Sequence, residues 1–183
     1  MTTGTLRFRF TTDEYERMIA TGILTEEDRV ELVDGEIIAM TPIGDEHVFA
    51  LNSLTAQLFQ KLAGRAVISV QNPIRLSDFS RPQPDIALWR LSSRRTLAGP
   101  ADILLLVEIS DSTLSFDRDV KLPLYARAAI QEVWIVNLVE GQIEVYRGPV
   151  SGEYQSAETF VSGDQISPQA FGDAAFAVDD ILS

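Results

Sequence analysis

The chain has 183 residues, 45% of them apolar and 23% charged, the balance of a globular protein long enough to bury a sizeable core. It contains no cysteine, which excludes disulfides and thiolate metal sites. Its formal net charge of −12 argues against long-range attraction to nucleic acid, and its positive charge is concentrated at Arg75, Arg81, Arg90, Arg94 and Arg95.

No apolar run approaches the roughly 18–20 residues needed to cross a bilayer. The N-terminus has no basic segment leading into an apolar one. The expectation is a cytoplasmic protein without a membrane partner. It should form a single domain over residues 1–183, with its core at about 11–146 and the segment 147–183 packed on it.

Thr11 and Glu14 form a capping-box pattern, so a short helix should follow with Tyr15, Met18 and Ile19 on one face and Gly22 at its stop. Val30–Val33 and Glu36–Met40 flank Asp34-Gly35, the signal of a tight hairpin. Asp45 can cap a longer helix from about Glu46 to Ala63, with Val48, Leu51, Leu54, Leu58 and Leu62 on its apolar stripe and Gly64 closing it. Ala66–Val70, Asp85–Trp89 and Ile103–Ile109 read as strands. They are apolar almost throughout, as in a sheet covered on both faces. The stretch from Asn72 to Pro84 holds three prolines and reads as a loop around one short extended piece. A helix is expected from about Arg118 to Ala129, with its first turn close to Pro123. Val133–Leu138 and Gln142–Tyr146 form a second hairpin around Glu140-Gly141. Beyond Gly148 the sequence has little periodicity, and Phe160, Phe171 and Phe176 should pin it to the body. The fold class is therefore α+β, a central mixed sheet flanked by helices in α/β/α layers.

Asp85 follows Pro84 at the start of one apolar strand, and Glu108 closes the run Ile103–Val107. A carboxylate at the end of a buried strand is costly unless something offsets its charge. If the two strands are antiparallel neighbours, both carboxylates reach the same edge of the sheet. With Lys121 just beyond, they suggest a divalent-metal site. Each residue also has a plainer reading. Pro-Asp is common in turns, Lys121 can pair with Asp117 at i,i+4, Glu31 can be a solvated hairpin residue, and His47 can be an ordinary first-turn residue.

The ordered set Glu31-Leu32-Val33-Asp34-Gly35-Glu36-Ile37, Thr41-Pro42 through His47, Gln83-Pro84-Asp85-Ile86, Val107-Glu108-Ile109-Ser110, Asp117 to Lys121, Tyr125-Ala126-Arg127-Ala128 and Glu132–Val136 resembles the Uma-type family of inferred restriction endonucleases. That family lies within the PD-(D/E)XK nuclease superfamily and its restriction-endonuclease-like fold. The resemblance implies that Asp85 is the aspartate of the PD element and Glu108 the acid of the (D/E)XK element. Ser110 occupies the slot where that element carries lysine, and the resemblance implies that Lys121, on the following helix, takes its place. It further implies that Glu31 is an additional acid at the metal, with His47 and Asp117 as neighbours.

Phosphodiester hydrolysis by this set needs an ion that polarises the phosphate and acidifies a bound water. Hard oxygen ligands suit Mg²⁺ or Mn²⁺. The expected function is a metal-dependent DNA endonuclease, with the arginines as a local basic surface. Two copies related by a two-fold axis would serve the two strands of a duplex, so a homodimer is expected. The alternative is a nuclease-fold binding or regulatory module without activity. A serine hydrolase is disfavoured by the single histidine and the absence of a Gly-x-Ser-x-Gly elbow.

Overall fold

The protein is described from a computed structural model over residues 7–92 and 99–182, so Arg94 and Arg95 lie outside the described residues. Backbone contacts divide the chain into two units, residues 1–40 with 73–82, and residues 41–72 with 83–183.

In the first unit, helix α1 (Thr12–Ala20) opens on the capping box read from the sequence. The Thr11 hydroxyl accepts from the Glu14 backbone N–H, and the Glu14 carboxylate accepts from the Thr11 N–H. Strands β1 (Val30–Val33) and β2 (Glu36–Ala39) pair antiparallel, with Leu32 opposite Ile37. Asp34 and Gly35 both take positive φ, 48° and 82°, as the tight turn requires. The loop 73–82 closes on this hairpin. Gly35 N–H donates to Phe79 O at 2.7 Å, and Asp34 N–H donates to the Ser80 hydroxyl at 3.0 Å.

The second unit is built on a six-stranded sheet of order β3-β4-β5-β6-β7-β8, comprising Ala66–Val70, Ile86–Arg90, Ile103–Ser110, Glu132–Asn137, Gln142–Val150 and Glu153–Phe160. Every neighbouring pair is antiparallel except β5 with β6, which makes the sheet mixed. Helix α2 (Asp45–Leu62) covers one face. Its Ala50, Leu51, Leu54, Leu58 and Leu62 share one buried cluster with Leu105, Val107, Ile109, Trp134 and Val136. Side chains alternate across a strand, so Glu108 and Ser110 point to the opposite face. There they meet a helical segment made of α3 (Leu114–Phe116), a π turn (Asp117–Lys121) and α4 (Leu122–Arg127). A short ribbon, β9 (Gln165–Ile166) with β10 (Phe176–Ala177), and helix α5 (Asp179–Leu182) complete the unit. Phe171 and Phe176 are buried in the α2-side cluster, with Phe160 packed against it.

Four expectations change. Gly44, not Asp45, is the N-cap of α2. Asp45 lies in the first turn, where its charge still complements the helix dipole. Val48 is 39% exposed, and His47 takes the buried first-turn position instead. The helix near Pro123 starts at Leu114 and ends at Arg127, because the π turn carries the chain up to the proline. Leu122 N–H donates to Asp117 O, five residues back, and the helix continues past the missing proline donor. The C-terminal segment contains strand β8, which extends the sheet beyond a turn with Ser151 at φ 52° and Gly152 at φ 86°.

Candidate active site

Asp85 precedes β4 and Glu108 lies near the end of β5. The register Ile86 with Val107 brings the two acids side by side on adjacent antiparallel strands. The Ile109 N–H of β5 donates to Asp85 Oδ2 at 2.8 Å, so the Asp85 carboxylate closes the ladder where β4 begins.

Two further donors hold Asp85. His47 Nε2, from the first turn of α2, lies 3.1 Å from Oδ2, and Gln71 Nε2 donates to Oδ1 at 3.1 Å. Gln71 adopts φ 49°, an unfavourable region for a residue with a side chain, and its backbone N–H also donates to Asp85 O at 2.9 Å. Of roughly four lone-pair directions on the carboxylate, donors among the described residues take two on Oδ2 and one on Oδ1.

Glu108 is 3% exposed. The Lys121 ammonium lies 3.3 Å from Oε1 and 3.4 Å from Oε2, and the buried Tyr125 hydroxyl donates to Oε1. Lys121 also lies 3.9 Å from Asp117. Asp117 Oδ2 accepts from the hydroxyls of Ser110 and Thr113, each at 2.7 Å. Ser110, the residue in the motif's lysine slot, thus steadies the acid that shares Lys121 with Glu108. The π turn between Asp117 and Lys121 helps set which side chains face the sheet.

The electrostatics is that of a buried site with an excess of acid. Burial pushes the Glu108 carboxyl well above its ordinary range. Lys121 pulls it down, the charges of Asp117 and Asp85 push it up again, and the Tyr125 hydrogen bond lowers it in part. Asp117 is raised by burial against the pull of Lys121, Thr113 and Ser110. Burial lowers the His47 imidazole, but the hydrogen bond and charge of Asp85, with Asp111 and Asp117, outweigh it and leave the ring above its ordinary value. Mutually repelling carboxylates of this kind are a chemistry that a small cation relieves.

Among the described residues no group of three His, Asp or Glu is arranged to hold an ion on its own. Asp85 and Glu108 are two neighbouring oxygen donors on adjacent strands. A donor pair of this type fits Mg²⁺, which takes one or two carboxylates and fills its remaining positions with water and substrate oxygens. Glu31 is a buried residue of β1 in the first unit, paired across the hairpin with Ile38. Arg75 and Arg81 are engaged there by acids. Arg75 lies 2.8 Å from Asp13, and Arg81 lies 3.3 Å from Glu16.

Sequence reasoning missed Gln71 and Tyr125 and assigned no contact to His47. Tyr125 stands one helical turn after Lys121, a spacing that could have placed both over Glu108. Nothing in the sequence marks Gln71, whose role depends on its backbone conformation.

The family model Uma2, described as "Putative restriction endonuclease", matches residues 12–179. Among solved structures, the chain is similar to "a putative nuclease belonging to DUF820" from Anabaena variabilis. The TM-score is 0.75 at 18% identity, over 94% of this chain and 97% of that one, a likeness of fold. It also overlaps weakly with the type IIG restriction endonuclease BpuSI, at TM-score 0.44 and 12% identity, over 79% of this chain and 17% of that enzyme. A search of curated proteins gave no match.

Proposed function

We propose that this chain, which belongs to the Uma2 family of restriction-endonuclease-like proteins, is a divalent-metal-dependent nuclease that hydrolyses phosphodiester bonds of DNA at Asp85, Glu108 and Lys121. The observation that carries the reading is the meeting of Lys121 with Glu108 at 3.3 Å beside an in-register Asp85. The lysine absent from the motif's own slot returns from the next helix.

Asp85 and Glu108 would each offer one oxygen to Mg²⁺ or Mn²⁺. The ion, when bound, supplies polarisation of the phosphate and a more acidic water. His47, Gln71 and the Ile109 N–H hold Asp85 still, and Tyr125 holds Glu108, so the ligands are fixed before substrate arrives. With an ion sharing the charge of Glu108, the Lys121 ammonium would turn part of its hydrogen bonding to the attacking water or to a phosphate oxygen. The net charge makes the ion the chief attraction for a phosphate. Two copies acting on a duplex would place one such site on each strand.

A second reading, a nuclease-fold binding module without catalysis, is favoured by the acidic partners of Arg75 and Arg81, which leave those guanidiniums less available to phosphate. Incubation with single- and double-stranded DNA, with Mg²⁺ or Mn²⁺ and with chelator, separates the two. Ion-dependent cleavage supports the nuclease. A folded protein that binds DNA without cutting it under any ion supports the module.

A further inference from the structure

We propose that His47 is the positioning residue that aims Asp85 at the metal ion, an inference that rests on the metal-nuclease reading above. The imidazole sits in the first turn of α2 with its side chain 7% exposed, and its Nε2 lies 3.1 Å from Asp85 Oδ2. The same oxygen accepts the Ile109 N–H at 2.8 Å. Two donors on Oδ2, from the helix and from the neighbouring strand, fix the plane of the carboxylate. Among the described residues Oδ1 then accepts from Gln71, leaving this oxygen to face an ion. A carboxylate beside Nε2 favours the ring proton on that nitrogen, which then donates to Oδ2.

The other ring nitrogen makes the case. Among the described residues, Nδ1 of His47 is buried with no hydrogen-bond partner. A buried polar atom without a partner costs stability, so packing alone would favour an apolar side chain at this place. The contact with Asp85 is what the histidine gives in return. A hydrogen bond to an ion-ligating carboxylate is the kind of support whose loss weakens metal binding about 10- to 100-fold.

The test is a calorimetric titration of the full chain with Mn²⁺, with the melting temperature recorded for every variant. Asp85→Asn should lose Mn²⁺ binding. His47→Leu should weaken it about 10- to 100-fold in a protein that its melting curve shows to be folded. His47→Gln, whose amide N–H reaches toward Asp85, should bind close to wild type. His47→Asn, whose amide stops short, should bind as weakly as His47→Leu. If Asp85→Asn loses the ion and both His47→Leu and His47→Asn bind like wild type, the role of His47 is refuted and the metal site stands. If wild type binds no Mn²⁺, or Asp85→Asn binds it as well as wild type, the metal reading fails and this inference with it. Should His47→Leu not fold, the contrast between His47→Gln and His47→Asn decides, and equal affinities overturn the proposal.

Discussion

Replacing Lys121 with methionine keeps most of the side-chain volume and removes the cation that faces two buried carboxylates. The lysine is 6% exposed, Glu108 and Asp117 are each 3% exposed, and burial already raises both acids. Without the ammonium, Glu108 can remain in place by holding a proton. A carboxyl whose folded value lies above its unfolded one binds that proton more tightly in the fold. Its stabilising effect is therefore complete below the unfolded value and is lost as pH rises toward the folded value. The loss is about 1.4 kcal/mol for each pH unit. Wild-type Glu108 is itself raised by burial, so the two proteins part only above its folded value. The full loss of the ion pair is bounded by the about 3–5 kcal/mol usual for breaking a buried pair. For a chain of this length that lowers the melting temperature by roughly 6–20 °C. Melting followed by circular dichroism across pH 4.5 to 7.5 should find wild type and Lys121→Met nearly equal at the acid end, with a gap that widens as pH rises. A gap of constant size would trace the loss to packing and not to charge, and would overturn the ion-pair role of Lys121.

Three other perturbations test the scaffold. Leu54→Ala, at a fully buried α2 position in the cluster that supports the sheet, should cost about 2–5 kcal/mol in urea unfolding. Gly35→Ala places a Cβ 2.7 Å from Arg9 Cβ at φ 82°. It should lower hydrogen-exchange protection of the β1–β2 amides, with left-handed strain alone contributing about 1–2 kcal/mol. Glu132→Ala strands three donors that converge on a fully buried carboxylate, Trp134 Nε1, the Arg147 guanidinium and the Gln169 N–H. Its expected cost is about 3–5 kcal/mol, read as a shift in the unfolding midpoint.

What the sequence makes legible here is what local chemistry dictates. Asp34-Gly35 announces its turn because few other residues tolerate two successive positive φ values. Thr11 and Glu14 announce their helix because they satisfy each other's backbone donors. The apolar strands before Trp89 and Glu108 announce a covered sheet, and their antiparallel register then brings Asp85 beside Glu108. Strand β8 gives no such signal. Glu153–Phe160 is mostly polar because it lies at the sheet's edge and buries little. The helix before Pro123 is hidden for another reason. A proline usually marks a helix start, and only the π turn lets the chain run helically into it. The clamp on Asp85 is the least legible part, since His47 and Gln71 lie far from it in sequence and Gln71 reaches it through a strained backbone.

We propose that Asp85, Glu108 and Lys121 form one hydrolytic site. Single-turnover cleavage of a DNA duplex in Mg²⁺ tests it most directly, comparing wild type with Asp85→Asn, Glu108→Gln and Lys121→Ala after each is shown to be folded. Wild type should cleave the duplex and stop with chelator, the two carboxylate variants should not cleave, and Lys121→Ala should show a large fall in rate with Mn²⁺ binding largely kept. Full cleavage by a folded Asp85→Asn or Glu108→Gln protein would contradict it.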